Sequence, residues 1–188
     1  VDWEKVSVAD PACGGGAFLA PVALEMAKVI KKKNSLFQLE HIENHLKGFE
    51  IDPFVAWMTQ VFLEVAVKDL IAISGRRMKN LVKVCDTLKQ SFNADERFDL
   101  VIGNPPYGKV KLNDSIKDIY KDGLYGHPNL YGLFTQVALK MVKPDGVIGY
   151  LTPTSFLSGE YFKNLRFLIR KEVIPQEIDF VSVRKGVF

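Results

Sequence analysis

Cysteine is scarce. Cys13 and Cys85 are the only two in 188 residues, too few to staple a disulfide scaffold, and neither has neighbours at metal-ligand spacing. A reducing, cytoplasmic interior is the expected compartment, with no metal site. A long uninterrupted apolar run is also missing. The most apolar stretch, 53–74, carries Gln60, Glu64, Lys68 and Asp69, which a lipid-facing helix would not tolerate, so it reads as a buried helix and no membrane is expected. No secretory leader pattern opens the chain. Charge of one sign is not in large excess either. A formal net charge of +3 and a pI near 8.7 mildly favour a polyanionic partner but fall well short of a dedicated nucleic-acid binder. Internal repeats and low-complexity tracts are absent, which excludes solenoids and disordered linkers.

What is present is ordinary globular material: 47% hydrophobic and 25% charged residues, rich enough in Phe, Ile, Leu and Val to bury a core. The length suits one domain. Opening on Val1 and stopping at Phe188, the chain reads as cut from something longer. Short apolar runs alternate with long helical patterns, the mark of βαβ units around a mainly parallel sheet and so of an α/β fold. Strands are expected at Val6–Ala9, Leu46–Ile51, Leu81–Val84, Leu100–Ile102, Val147–Leu151 and Ile178–Val183. Helices are expected at Ala17–Lys31, Pro53–Ile73, Leu130–Val142 and Glu160–Glu172. Asp52-Pro53 is a helix start, a short acceptor before a residue with no N–H to leave unpaired. Pro144-Asp145-Gly146 is turn chemistry, with Gly146 accepting positive φ. Lys31-Lys32-Lys33 suits a helix C-terminus, with DNA contact as the alternative. The polar segment from Gly108 to His127, with Lys109, Lys111, Lys117 and Lys121, reads as a surface loop, either merely solvated or near phosphates.

Four motifs carry chemistry, each at the end of an expected strand. Asp10-Pro11-Ala12-Cys13-Gly14-Gly15-Gly16-Ala17-Phe18 is a glycine-rich turn where missing Cβ atoms let backbone approach a ligand; a tight structural turn is the plain alternative. A dinucleotide site would want a third glycine where Leu19 stands. The acid beside the glycines, Asp10, suits a positively charged ligand better than a phosphate, and S-adenosylmethionine, with its sulfonium and ammonium groups, is such a ligand. Glu50, in Gly48-Phe49-Glu50-Ile51-Asp52, stands where a carboxylate can accept both ribose hydroxyls, although it follows Gly16 by more than the ~20 residues usual in nucleotide folds. An extra helical excursion through Gln38 to His45 is expected to fill that interval. Asp86, followed by Thr87, could accept from the cofactor's adenine amino group, or simply form a turn.

The fourth motif, Gly103-Asn104-Pro105-Pro106-Tyr107, is the strongest. Two prolines remove two donors and stiffen the turn, leaving carbonyl oxygens outward as acceptors. The Asn104 amide oxygen and the Pro105 carbonyl could grip both hydrogens of an –NH₂ group, and Tyr107 could stack on an extruded base. An adenine amino group is a poor nucleophile because its lone pair is delocalised into the ring. Drawing its hydrogens to two acceptors favours a pyramidal nitrogen able to attack an electrophilic methyl in line.

In this order the motifs resemble the S-adenosylmethionine-dependent amino-methyltransferases of DNA, in the group whose glycine-rich motif precedes Asn-Pro-Pro-Tyr. The resemblance runs from Val6 to Phe188. It implies a Rossmann-like, doubly wound sheet of seven strands, the last antiparallel and beyond this chain, and one catalytic domain over 1–188. A helical segment before it and a target-recognition domain after it would lie outside the chain. It implies N6-methylation of adenine in double-stranded DNA, with S-adenosylmethionine as cofactor and a restriction endonuclease as partner or fusion. By the same resemblance, Asp10, Pro11, Ala12, Gly14, Gly16, Phe18, Glu50, Ile51, Asp86, Thr87, Asn104 and Phe134 hold the cofactor. Asn104, Pro105, Pro106 and Tyr107 act on the amino group, and Tyr107 and Phe188, the latter in Gly186-Val187-Phe188, sandwich the base. For Phe134 a plain core role is the alternative. Methylation of protein glutamine or RNA guanine, a non-catalytic cofactor-binding subunit and a nicotinamide oxidoreductase are the rival readings. The last lacks its third glycine, and His41, His45 and His127 fall in polar surface segments.

Overall fold

A computed structural model describes residues 1–29 and 34–180. Five strands form one sheet: β1 (Val8–Asp10), β2 (Leu46–Glu50), β3 (Val82–Val84), β4 (Phe98–Gly103) and β5 (Val142–Tyr150). Their order is β3-β2-β1-β4-β5 and every pairing is parallel. The helices are α1 (Leu19–Val29), α2 (Ser35–His45), α3 (Pro53–Ala66), α4 (Lys68–Ser74), α5 (Asp114–Tyr120), α6 (Leu130–Met141), α7 (Ser155–Ser158) and α8 (Lys163–Glu172).

Parallel strands need crossovers, and covering both faces of the sheet divides the core in two. On one face Val8, Leu46 and Val82 pack under α1, α2 and α3 through Leu19, Met26, Leu39, Ile42 and Leu63. On the other, Ala9, Phe49 and Val101 pack under α6 through Leu133, Phe134, Val137 and Met141. The alternation of Val8 and Ala9 between the two cores is the period-two pattern of a strand buried on both sides. The expected doubly wound α/β fold is therefore present, with β1 at its centre.

Local chemistry explains the boundaries. The Asp52 carboxylate accepts from the Phe54 and Val55 amides at 2.8 and 2.9 Å, with Pro53 opening α3. Asn34, Asn113 and Asn129 cap α2, α5 and α6 in the same manner.

Several expectations shift. The helix expected at Pro53–Ile73 is two, because it breaks at Val67 (φ −111°, ψ 25°). The excursion between the glycine-rich turn and β2 is the whole of α2. The segment from Gly108 to His127 is not simply a loop: it contains α5, whose Ile116 and Tyr120 are buried at i, i+4 spacing. The Tyr120 hydroxyl donates to the Leu88 carbonyl at 2.9 Å. Pro144-Asp145-Gly146 bulges within β5 instead of separating helix from strand. Val142 pairs with Phe98 and Val147 with Leu100, so 143–146 loop out opposite Asp99. The positive φ falls on Asp145, at 63°, and not on Gly146. His41 is buried, its Nε2 2.9 Å from the Trp3 carbonyl oxygen, not in a polar surface segment. Of the strand expected at Ile178–Val183, residues 178–180 are not in a strand. Residues 181–183, with Lys31-Lys32-Lys33 and Phe188, lie outside the described residues.

Candidate functional site at the carboxyl edge

β1 and β4 are neighbours in mid-sheet, so the turns that follow them emerge side by side. After β1 the glycine-rich turn is pinned from three directions. The Cys13 amide donates to the Phe49 carbonyl at 3.0 Å on the β2 side. The Thr87 hydroxyl donates to the Pro11 carbonyl at 2.9 Å. The Thr59 hydroxyl, buried on α3, donates to the Gly14 carbonyl and, at 2.9 Å, to its own helix at Val55. Gly16 sits at φ 79°, and a Cβ there would stand 2.8 Å from Thr59 Cγ2, so backbone and helix meet where only glycine fits.

Two carboxylates converge on this turn. Asp10 is 1% exposed and accepts from the Ala12 amide at 3.0 Å. Glu50 accepts from the Gly14 amide at 3.0 Å through one oxygen, and from the Ile51 and Asp52 amides at 2.8 and 3.0 Å through the other. Burial pushes the Asp10 carboxyl up to about 7, and the charge of Glu50 adds to the rise. Among the described residues neither acid has an ion-pair partner. A crevice with unbalanced carboxylates and exposed backbone suits a cationic ligand better than an anionic one. Asp86 caps the short 3₁₀ turn at Thr87–Lys89 by accepting from the Leu88 amide at 3.2 Å, and pairs with Lys89 at 3.0 Å. It is a turn former here, with its carboxylate partly exposed at the third strand end.

The turn after β4 reaches the same place. A Cβ on Gly103 would lie 2.8 Å from Asp10 Oδ1, so the strand end rests directly on the buried acid. Asn104 follows, half-buried, then buried Pro105 and exposed Pro106 and Tyr107. The Tyr107 hydroxyl donates to the Asn104 amide oxygen. Its ring is 44% exposed and stands perpendicular to Tyr131, centroids 6.2 Å apart. Burial raises the Tyr107 hydroxyl above its ordinary value, so it stays protonated as a donor.

Asp10 is thus bonded to Ala12, Glu50 to Gly14 and Thr87 to Pro11, all on one turn, and Gly103, against Asp10, is followed directly by Asn104. Gly16 stands against Thr59. Phe18 is half-buried, while Ile51 is 66% exposed beside Glu50. Phe134 is buried in the core with Ala9, Phe49 and Leu88, and its carbonyl accepts from the Tyr150 hydroxyl at 3.2 Å. Thr59 and Tyr131 were not anticipated. Thr59 continues the inward stripe Ala56–Thr59–Leu63 of α3, so a hydroxyl among apolar positions was the available signal.

This parallel five-stranded sheet flanked by helices has the S-adenosylmethionine-dependent methyltransferase fold. Solved structures agree. A Listeria monocytogenes protein described as a class I S-adenosylmethionine-dependent methyltransferase superposes with a TM-score of 0.61 at 20% identity, over 89% of this chain and 45% of its own. The M protein of the type I restriction enzyme EcoKI gives 0.62 at 18%, over 87% and 33%. Residues 22–188 match the Eco57I restriction-modification methylase family, and the chain belongs to it. Relatives include the type II methyltransferase M.VspI of Vibrio sp., 26% identical over 99% of this chain and 40% of that protein. M.BstVI of Geobacillus stearothermophilus is 28% identical over 88% and 32%. The chain spans less than half the length of these curated relatives. S-adenosylmethionine is the cofactor that family and fold indicate. Among the described residues no helix is long and apolar enough to cross a membrane.

Proposed function

We propose that this chain is the catalytic domain of a DNA methyltransferase that methylates the exocyclic N6 of an adenine extruded from double-stranded DNA. The observation that supports the reading is the seating of Gly103 on Asp10, with Asn104 following directly beside the glycine-rich turn. When bound, S-adenosylmethionine supplies a methyl group on a positively charged sulfur, open to attack by a neutral amine. The residues of this chain do the rest. Glu50 and the glycine-rich backbone orient the nucleoside, while the charge of Asp10 suits the cationic end. Asn104 Oδ1 exchanges its bond from Tyr107 for one from the amino group, the Pro105 carbonyl accepts the second hydrogen, and the exposed face of Tyr107 stacks on the base. The type II methyltransferase names of its relatives support DNA as substrate. A restriction endonuclease, separate or fused, is the accompanying partner in this reading.

The test is made on the complete protein. Sequencing the DNA of cells that express it should map N6-methyladenine to one short sequence. Asn104→Ala should bind S-adenosylmethionine within about twofold of wild type yet lose methyl transfer by at least about 100-fold, because it removes the acceptor for the amino group and the bond that holds Tyr107 while leaving the glycine-rich turn and Glu50 in place. Equal losses in binding and transfer, or methylation of a cytosine, would overturn the assignment.

A further inference from the structure

Tyr131 belongs to none of the motifs, yet it is the residue against which Tyr107 rests. It stands second in α6, buried to 2% exposure, with its amide accepted by the Asn129 cap at 3.3 Å. Its ring is perpendicular to that of Tyr107, at an interplanar angle of 82°, the edge-to-face arrangement that aromatic quadrupoles favour. On a further contact it stacks against Phe162, centroids 4.7 Å apart and 30° between planes. Its hydroxyl lies 3.2 Å from Ser155 Oγ, so α7 fixes the rotation of the ring. Phe162 is closely set in turn, since a Cβ on Gly132 or Gly159 would lie 3.6 or 3.0 Å from its ring. The result is a column, Tyr107–Tyr131–Phe162, running from the exposed turn through buried Tyr131 to partly buried Phe162. A half-exposed tyrosine on a short loop would otherwise sample several rotamers and lose that freedom only on meeting a base. The hydroxyl of Tyr107 donates to Asn104, so whatever holds the ring also holds the amide of the clamp.

We infer that Tyr131 is a positioning residue for the extruded base: it presets the Tyr107 ring, and through it the Asn104 amide, from behind. The inference rests on the reading of this site as an amino-methyltransferase centre. Tyr131 touches neither base nor cofactor, and its effect falls on the chemical step and on base stacking.

The experiment uses the complete protein and a duplex carrying its mapped methylation sequence, with 2-aminopurine replacing the target adenine for the fluorescence arm. Tyr131→Leu should slow single-turnover methyl transfer to the natural duplex by about 3–10-fold, the range expected for one lost edge-to-face contact. It should also raise the emission of bound 2-aminopurine, since a base less well stacked on Tyr107 is less quenched, while the cofactor Kd stays unchanged. Tyr131→Phe, which keeps the ring and its edge against Tyr107, should restore rate and emission, and the emission change at unchanged cofactor Kd is the readout that a general packing defect would not give. If Tyr131→Leu does not fold, Phe162→Leu removes the support behind Tyr131 and should move both readouts in the same direction. Wild-type rate and emission in the folded variant would overturn the inference while leaving the function standing. So would a rate loss that merely follows lost cofactor binding and that Tyr131→Phe fails to rescue. Absence of adenine methylation by the wild-type protein overturns the function, and this inference with it.

Discussion

Asp10 is the residue where fold and ligand chemistry meet. It ends the central strand, carries Gly103 on its carboxylate and leads into the glycine-rich turn. Burial raises it to about 7, which ties both stability and binding to pH. Between about pH 4 and 7 the folded chain keeps a proton there that the unfolded chain has released, so this group makes the fold less stable as pH rises through that window. A cationic ligand favours the ionised form, so the sign for binding is opposite. The Kd for S-adenosylmethionine should fall about tenfold from pH 6 to pH 8, with proton release on binding. Asp10→Asn should flatten that profile. Titration calorimetry in two buffers of different ionisation enthalpy measures it, and a flat wild-type profile would remove Asp10 from the site. Asp10 was legible in the sequence because an acid beside three glycines is a local pattern. Thr59 and Tyr131 were not, because each acts on a loop far along the chain, by a contact that no spacing rule reports.

At the scale of elements, the opposite edge of the sheet is tied by polar contacts. Asp99 Oδ2 accepts from the Ser7 amide at 2.8 Å, the Ser7 hydroxyl at 2.6 Å and Lys143 Nζ at 2.9 Å, joining the starts of β1, β4 and β5. Burial alone would raise the Asp99 carboxyl, but the Ser7 and Lys143 hydrogen bonds outweigh it and hold it at about 2. A lowered carboxylate contributes stability that is complete above about pH 4 and is lost as pH falls towards 2. With 37% of its side chain exposed, solvent screening limits the effect. Asp99→Asn should cost about 1 kcal/mol at pH 7 and almost nothing near pH 2. Urea unfolding at the two pH values measures this, and a cost that does not shrink in acid would mean the loss is steric. The five strands of the sheet and the helices α1, α6 and α8 were readable from short apolar runs and helical periods, whereas the strand expected from Ile178 is not one over 178–180. Boundaries moved where neighbours decided them, as at Val67, where α3 ends, and at the bulge opposite Asp99. The helix α5 was hidden because Ile116 and Tyr120 supply only one apolar pair in a polar segment, and their burial depends on Leu88, which lies beyond β3.

For the whole molecule, the arrangement places every motif on one edge and leaves the scaffold between two cores to hold that edge in register. If S-adenosylmethionine binds as proposed, at the ends of β1 and β2 and the loop after β3, its binding should be felt globally, because these elements belong to one sheet. A ligand that binds only the folded state at a hundredfold excess over its Kd stabilises it by about 2.7 kcal/mol. For a domain of this size that corresponds to a rise in Tm of about 5–10 °C. Asn104→Ala should keep most of the rise if, as proposed, its amide chiefly serves the amino group of the base while the glycine-rich turn and Glu50 hold most of the cofactor. Gly16→Ala should lose most of it, because its Cβ would displace Thr59 from behind the turn. Its far-ultraviolet circular dichroism should nonetheless match wild type, since no strand or helix contains the residue. Differential scanning fluorimetry with and without S-adenosylmethionine separates the cases. If Asn104→Ala and Gly16→Ala lose the shift alike, cofactor turn and amino clamp are not divisible, and the assignment of separate tasks to the β1 and β4 ends fails. If only Gly16→Ala loses it, the division of labour follows from sheet order, in which the cofactor is held mainly by the β1–β2–β3 ends and the amino group by the end of β4.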